Sequence, residues 1–355
     1  MKHTNLFLFS ALVGFSNHAF AQAGELVCWG YNNTGQCDAP NGTFTQSEGG
    51  QDHSVGLRTD GTVKCWGNNE QGQCDAPEGD FSAIAAGLLH CLAIRNDGIV
   101  ECWGYNYQGQ CNAPDGTFTQ VSAGSTHSLG LRPNGIVECW GGNTDGQCDA
   151  PSGIFTQVTA GERHSLGLRT DGSIACWGRN VSGQCNAPSG SFTQLSGGRF
   201  HSVGLRKDGT IACWGSNNYG QCDAPDGVFT QIAAGDKFSL GLREDGTVAC
   251  WGNTSGGACD VPDSVFTQVA SGSCSRHTLA LRPLPTGACC TGNEVGCIET
   301  TEEACDATLG LTWLGSSTSC SDSQCPSTCE GDATGNGIVD FTDLIAVLNN
   351  WGPCP

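Results

Sequence analysis

Basic side chains are scarce in this sequence: 15 Lys and Arg stand against 35 Asp and Glu in 355 residues, a formal charge of -20. Nucleic-acid binding rests on Lys and Arg neutralising phosphates, so this balance argues against it, and against adsorption to anionic membrane surfaces. Long apolar runs are also missing. Only the stretch from Leu6 to Phe15 is apolar, and it is too short to span a bilayer as a mature helix. The chain has no Gly-rich phosphate loop, no nucleophile elbow and no zinc-protease motif. Paired catalytic carboxylates cannot be picked out of so acidic a surface by sequence alone.

Cysteine, by contrast, is abundant. There are 24, an even number. A reducing cytosol would leave them as thiols, whereas an oxidising space would pair them. The N-terminus points the same way. Lys2 and His3 precede the apolar run, and Ala19-Phe20-Ala21 forms a small-residue cleavage pattern. Residues 1–21 therefore read as a signal peptide, and the mature chain as secreted or surface-exposed.

The mature chain opens on a repeat. Cys-Trp-Gly begins at Cys28, Cys65, Cys102, Cys139, Cys176, Cys213 and Cys250, in steps of 37 residues. A second cysteine follows nine positions later each time, at Cys37, Cys74, Cys111, Cys148, Cys185, Cys222 and Cys259. Within a unit, Phe155 to Gly161, His164 to Arg169 and Ile174 to Gly178 alternate as short half-buried strands do. Asp171-Gly172 is a tight-turn signal joining two of them. Such a unit cannot cover both its faces alone, but stacked radially each sheet covers its neighbour. The first unit begins at Glu25-Leu-Val-Cys-Trp-Gly30 with no preceding turn, and the last stops at Leu279-Ala-Leu-Arg282. The N-terminal strand should therefore supply what the last unit lacks and remove the open edges. This predicts an all-β, seven-bladed propeller over residues 24–283, with equal four-stranded blades.

The run Ala160-Gly-Glu-Arg-His-Ser-Leu-Gly-Leu-Arg-Thr-Asp-Gly-Ser-Ile-Ala-Cys-Trp-Gly-Arg-Asn-Val-Ser-Gly-Gln184 resembles the repeat of the regulator-of-chromosome-condensation family. The resemblance implies a seven-bladed propeller, and the compact unit is similar to the secreted bacterial propeller that inhibits β-lactamases. The sequence departs from the family after Gly-Gln, where Cys-Asp-Ala-Pro or Cys-Asn-Ala-Pro follows in six copies. With a secretion signal and no basic tail, nucleotide exchange on a nuclear GTPase is not implied.

The paired cysteines of each unit read as a disulfide staple, with a partner in a neighbouring unit as the alternative; zinc sites prefer closer cysteine pairs or added His. His53, His90, His127, His164, His201 and His277 recur before the Leu-x-Leu-Arg strand, where Phe238 breaks the series, and read as framework. Function is sought where copies differ. One variable set precedes each His and includes Asp52, Leu89, Thr126, Arg163, Phe200 and Lys237. Another follows Cys-Trp-Gly and contains all four tyrosines, Tyr31, Tyr105, Tyr107 and Tyr219. Tyr is favoured in recognition surfaces. Symmetry would put the first set on one rim as ligand-binding candidates.

Two pieces follow. Residues 284–328 carry Cys289, Cys290, Cys297, Cys305, Cys320 and Cys325 and are too short for a core of their own, so disulfides should hold them. Residues 329–355 contain Asp332-Ala-Thr-Gly-Asn336-Gly-Ile-Val-Asp340-Phe-Thr-Asp343. Oxygens from Asp332, Thr334, Asn336, the Ile338 carbonyl, Asp340 and Asp343, around Gly337, fit an EF-hand type calcium loop. The segment looks like one dockerin-type repeat, which implies a possible cohesin-like partner. The leading expectation is a non-enzymatic binding or display protein that recognises an extracellular protein or glycan, with no nucleic acid and no membrane span, assembled through a Ca2+-binding tail. The alternatives are a secreted carbohydrate hydrolase or lyase and a purely structural surface protein.

Overall fold

A computed structural model describes residues 23–284 fully and the backbone of 286–290, 297–301 and 312–316. The signal-peptide segment and the calcium loop lie outside the described residues. Two compact units divide at Pro283.

The first unit is built of repeated three-stranded antiparallel sheets. They are β2–β4 (Thr43–Gly49, His53–Arg58, Val63–Gly67), β5–β7 (Phe81–Ala86, His90–Arg95, Val100–Gly104) and β8–β10 (Gln120–Ala123, His127–Leu131, Val137–Gly141). Then come β11–β13 (Phe155–Ala160, His164–Arg169, Ile174–Gly178), β14–β16 (Phe192–Gly197, His201–Arg206, Ile211–Gly215) and β17–β19 (Gln231–Ala234, Phe238–Leu242, Val248–Gly252). The remaining sheet joins the two ends of the repeat region and runs on through its N-terminal strand into β2–β4. β20 (Gln268–Ala270) and β21 (His277–Pro283) are completed by β1 (Gly24–Gly30), which pairs with β21 along its whole length, Glu25 opposite Arg282 and Gly30 opposite His277. The first strand of each sheet lies next to the first strand of the following one, and β20 returns to β2. The closure expected from the two truncated ends is thus present as paired backbone.

Apolar residues bind sheet to sheet rather than strand to strand. Leu129 and Leu131 of one sheet pack on Phe155, Val158, Ala160 and Trp177 of the next. The same set recurs as Leu166 and Leu168 against Phe192, Leu195 and Trp214. A stack of interlocked neighbours follows, because no sheet here buries its apolar face without another. Gly167 is required by this packing: a Cβ there would lie 2.5 Å from the Phe155 ring.

Four-stranded blades were expected, but five of the described sheets of this unit have three strands each, and β1 joins β20–β21 to β2–β4 in one six-stranded sheet. The reason is local. After Cys-Trp-Gly the chain turns on an asparagine: Asn32 Oδ1 accepts the Cys37 N–H (2.7 Å), its Nδ2 donates to Asp38 (2.8 Å), and the Asp38 N–H bonds the Gly35 carbonyl (3.0 Å). Pro40 has no N–H to offer. Backbone donors spent on a turn cannot form a ladder. The disulfide Cys28–Cys37 closes this turn, and Cys65–Cys74, Cys102–Cys111, Cys139–Cys148, Cys176–Cys185, Cys213–Cys222 and Cys250–Cys259 repeat it.

The second compact unit holds a small sheet in which β22 (Thr286–Cys290) lies between β23 (Cys297–Thr301) and β24 (Thr312–Ser316). Among the described residues no helix is long and apolar enough to cross a membrane.

Candidate functional site

The two variable sets meet on one rim. In each unit the N–H after Cys-Trp-Gly donates to the carbonyl before the His, or before Phe238: Tyr105 to Leu89 (2.9 Å), Gly142 to Thr126 (2.8 Å), Arg179 to Arg163 (2.9 Å), Ser216 to Phe200 (2.8 Å), Asn253 to Lys237 (2.9 Å). Asn68 bonds Asp52 likewise (2.8 Å), and Tyr31 bonds Arg276 across the closure (3.3 Å). Positions far apart in sequence are thereby side by side in every unit.

The rim is uneven. Over the sheets from β11 to β21 it carries Arg163, Arg179, Arg199, Lys237 and Arg276 beside Asp145, Glu162 and Asp236. Arg199 lies between two neighbouring units, bonded to Glu162 (3.2 Å) and Asp236 (3.0 Å). Arg163 reaches Asp145 (3.3 Å), and Arg276 approaches Asp236 (3.9 Å). Aromatic rings support the cations. Arg199 sits 5.1 Å and Arg179 5.8 Å from the Phe200 ring, Lys237 4.6 Å from Tyr219, and Arg276 5.8 Å from Tyr31. A recess of about 280 Å³ opens beside Tyr31, Asp236, Lys237 and Arg276. On the opposite arc Tyr105 and Tyr107 stack with centroids 6.3 Å apart, and Tyr107 is 82% exposed. Asp52, Leu89 and Thr126 lie on that arc, outside the cationic sector.

The sequence reading singled out Arg163, Phe200, Lys237, Tyr31 and Tyr219 but did not join them; Arg179 and Arg199 fell in its variable sets without being chosen as candidates, and Arg276 was left out. Only Arg199 between two acids, Glu162 and Asp236, each one repeat away, hinted at a bridge across units.

Catalytic arrangements were weighed against this geometry. Glycosidic hydrolysis by two carboxyls needs the gap between them for substrate. Arg199 fills the gap between Glu162 and Asp236. Cys91 lies 3.2 Å from His53 Nε2, a thiol–imidazole contact. Burial raises the thiol far above its ordinary value and lowers the imidazole to about 4, which is opposite to nucleophile activation. Cys91 simply occupies a place that is serine or threonine in the other units.

The His series is framework. His90 Nε2 is 3.0 Å from Ser128 Oγ in the next unit, and His127, His164 and His201 meet Ser165, Ser202 and Ser239 in the same way. Each such Ser donates its hydrogen to a Gln carbonyl, as Ser165 does to Gln147 (2.8 Å), so the imidazole must donate from Nε2. The ring is spent on joining sheets. The Trp side chains other than Trp251 do the same, Trp177 Nε1 donating to the Gln147 carbonyl (2.8 Å) and Trp140 to that of Gln110 (2.8 Å).

Comparison with known proteins follows from this architecture. Residues 48–73, 81–110, 118–147, 155–184, 192–221 and 229–257 match the regulator of chromosome condensation (RCC1) repeat. No curated protein sequence matches the chain. Among solved structures it is similar to Prp20p from Saccharomyces cerevisiae, with TM-score 0.64 at 16% identity over 80% of this chain and 94% of that one. It is also similar to the CRINKLY ectodomain of the Arabidopsis thaliana receptor kinase ACR4, with TM-score 0.51 at 26% identity over 59% and 81%. The ectodomain of the Physcomitrella patens receptor kinase CR4 gives TM-score 0.56 at 21% identity over 78% and 81%. Residues 48–257 therefore carry six RCC1-like repeats, and the fold is that of an RCC1-like β-propeller.

Proposed function

We propose that this is a secreted, seven-bladed binding protein whose rim sector from Arg163 to Tyr31 docks an acidic protein surface. The observation that carries the reading is the local reversal of charge: five cations, four of them braced on Phe200, Tyr219 and Tyr31, gather on one arc of a chain of formal charge -20. Arg and aromatic residues dominate binding hot spots, and Arg199 is already held in place by its two acids, so little ordering remains to be done on binding. Counting β20–β21–β1 as one blade gives the seventh. Similar structures support a binding role: yeast RCC1 is described bound to Kap60, Prp20p with binding properties toward Gsp1p and histones, and two relatives are ectodomains. The paired cysteines support an oxidising compartment.

Selection of a random peptide library on the purified protein should enrich Asp- and Glu-rich sequences that bind less tightly as salt rises. The R163E/K237E/R276E variant should lose at least tenfold in affinity at unchanged Tm. Enrichment without acidic bias, or equal binding by the variant, refutes the docking sector.

The tail reading is part of the proposal. Asp332, Thr334, Asn336, Ile338, Asp340 and Asp343 would hold one Ca2+, with Asp343 in place of the longer Glu usual at that position. Calorimetry on the full chain should show one calcium event that Asp332→Ala abolishes. An identical titration of parent and variant would rule the loop out. Attachment through a dockerin-like tail to a cohesin-like partner follows only if calcium binds.

A further inference from the structure

The first strands of the sheets enclose a cavity of about 680 Å³. Its wall is nearly uncharged, and the repeat explains why. One tier is glutamine, at Gln46, Gln120, Gln157, Gln194, Gln231 and Gln268, with Ala83 as the exception. These side chains hold adjacent sheets together: Gln157 donates to the Leu195 carbonyl (3.0 Å) and accepts the Leu195 N–H (2.8 Å). Two residues on, the next tier is small: Ala85, Ser122, Thr159, Ser196, Ala233 and Ala270. Ser122, Thr159 and Ser196 accept N–H groups from Ala160, Gly197 and Ala234, which leaves each hydroxyl hydrogen free for another acceptor.

Glu48 stands in that tier where its counterparts are Ala, Ser or Thr, and no other ionisable side chain lines the cavity among the described residues. Gln46 shares a hydrogen bond with its carboxyl. On the strands packed against β2, the titratable groups are few. Glu25, Arg58 and Arg282 sit toward the far end of their strands, and His53 and His277 are buried and neutral, their imidazoles lowered to about 4 and about 3. Once ionised, this carboxyl has no counter-ion on the protein, so its charged form is left uncompensated. Between the glutamines and hydroxyls, Ala85, Ala233 and Ala270 leave stretches of wall that suit an apolar body.

We propose that this cavity binds a small organic ammonium ion, with Glu48 as its counter-ion and the alanine positions of the wall around its hydrocarbon part. Burial pushes the Glu48 carboxyl up to about 8, so at pH 7 roughly nine in ten are protonated when the cavity holds no cation. An ammonium ligand would reverse this, and Glu48 would give its proton to solvent as the ion pair forms. Binding is therefore linked to the release of close to one proton at pH 7.

The test is calorimetry of the whole protein with n-hexylammonium chloride at pH 7, in phosphate and in Tris. Hexylammonium should bind, with an apparent enthalpy that differs between the buffers by close to one proton's ionisation. Hexan-1-ol, which has the same body without charge, should bind at least tenfold more weakly. Glu48→Gln should weaken hexylammonium at least tenfold and abolish the buffer dependence. Glu48→Ser places there the residue found at 122 and 196, and it should behave in the same way if Glu48→Gln folds poorly. Absence of hexylammonium binding by the parent, equal affinity in both variants, or binding without proton release overturns the proposal. The rim substitutions leave Glu48 untouched, so the two readings fail separately.

Discussion

Reduction of the disulfides should unfold the propeller at temperatures where the oxidised protein is fully native. Each bridge closes a loop of nine residues' separation, Cys28–Cys37 through Cys250–Cys259. The chain-entropy estimate for so short a loop is roughly 2–3 kcal/mol, and all of them together reach roughly 15–20 kcal/mol if independent. That exceeds the ~5–15 kcal/mol by which native domains are stable. The sheets alone are short, and apart from the staple each such segment is held only by its asparagine turn and by the Ser and Trp bonds to its Gln carbonyl. Circular dichroism with and without dithiothreitol should show loss of the cooperative transition on reduction. Removal of one bridge by Cys176→Ala with Cys185→Ala should lower Tm by about 5–10 °C, since about 1 kcal/mol moves Tm by ~2–4 °C in a domain of this size. A reduced protein melting within a few degrees of the oxidised one would show that the packing between sheets suffices.

Acid should be almost as damaging. His90, His127, His164 and His277 are lowered to about 3, and His53 and His201 to about 4, by burial foremost. In the unfolded chain each titrates near 6.5. Between those values the unfolded state binds protons that the folded state refuses. Stability is therefore full above about pH 6.5 and falls as pH drops toward the folded values. Six such groups give a limiting slope of roughly 8 kcal/mol per pH unit, and a third of that already removes a domain's net stability between pH 6.5 and 4. Glu48 has the opposite sign, since its raised carboxyl costs stability as pH rises from about 4.5 to about 8. One such group is outweighed by six. Scanning calorimetry from pH 7.5 to 4 should show Tm falling steeply below pH 6.5, with several protons taken up on unfolding. A Tm that is flat down to pH 4.5 would mean these imidazoles are not buried neutral.

The 37-residue step, the strand pattern, the Asp-Gly turns and the two truncated ends were all legible, because identical units must solve the same local problem identically. Cys28 next to Cys37 was legible for the same reason: a short loop with paired cysteines in every copy leaves few other partners. Three strands in place of four was not legible, since it turned on Asn32 and its equivalents diverting backbone donors into a turn.

By itself, then, the sequence determined a closed repeat of short stapled strands, an acidic chain and a rim where the copies differ. The tertiary structure decided what those differences amount to. Arg163, Arg199, Lys237 and Arg276 belong to different sheets, and only radial stacking turns four scattered cations into one arc around Phe200 and Tyr219. Likewise Glu48 reads as one acid among 35. Its isolation comes from closure: the ring places the equivalent position of every other unit around the same cavity, and each of those is uncharged.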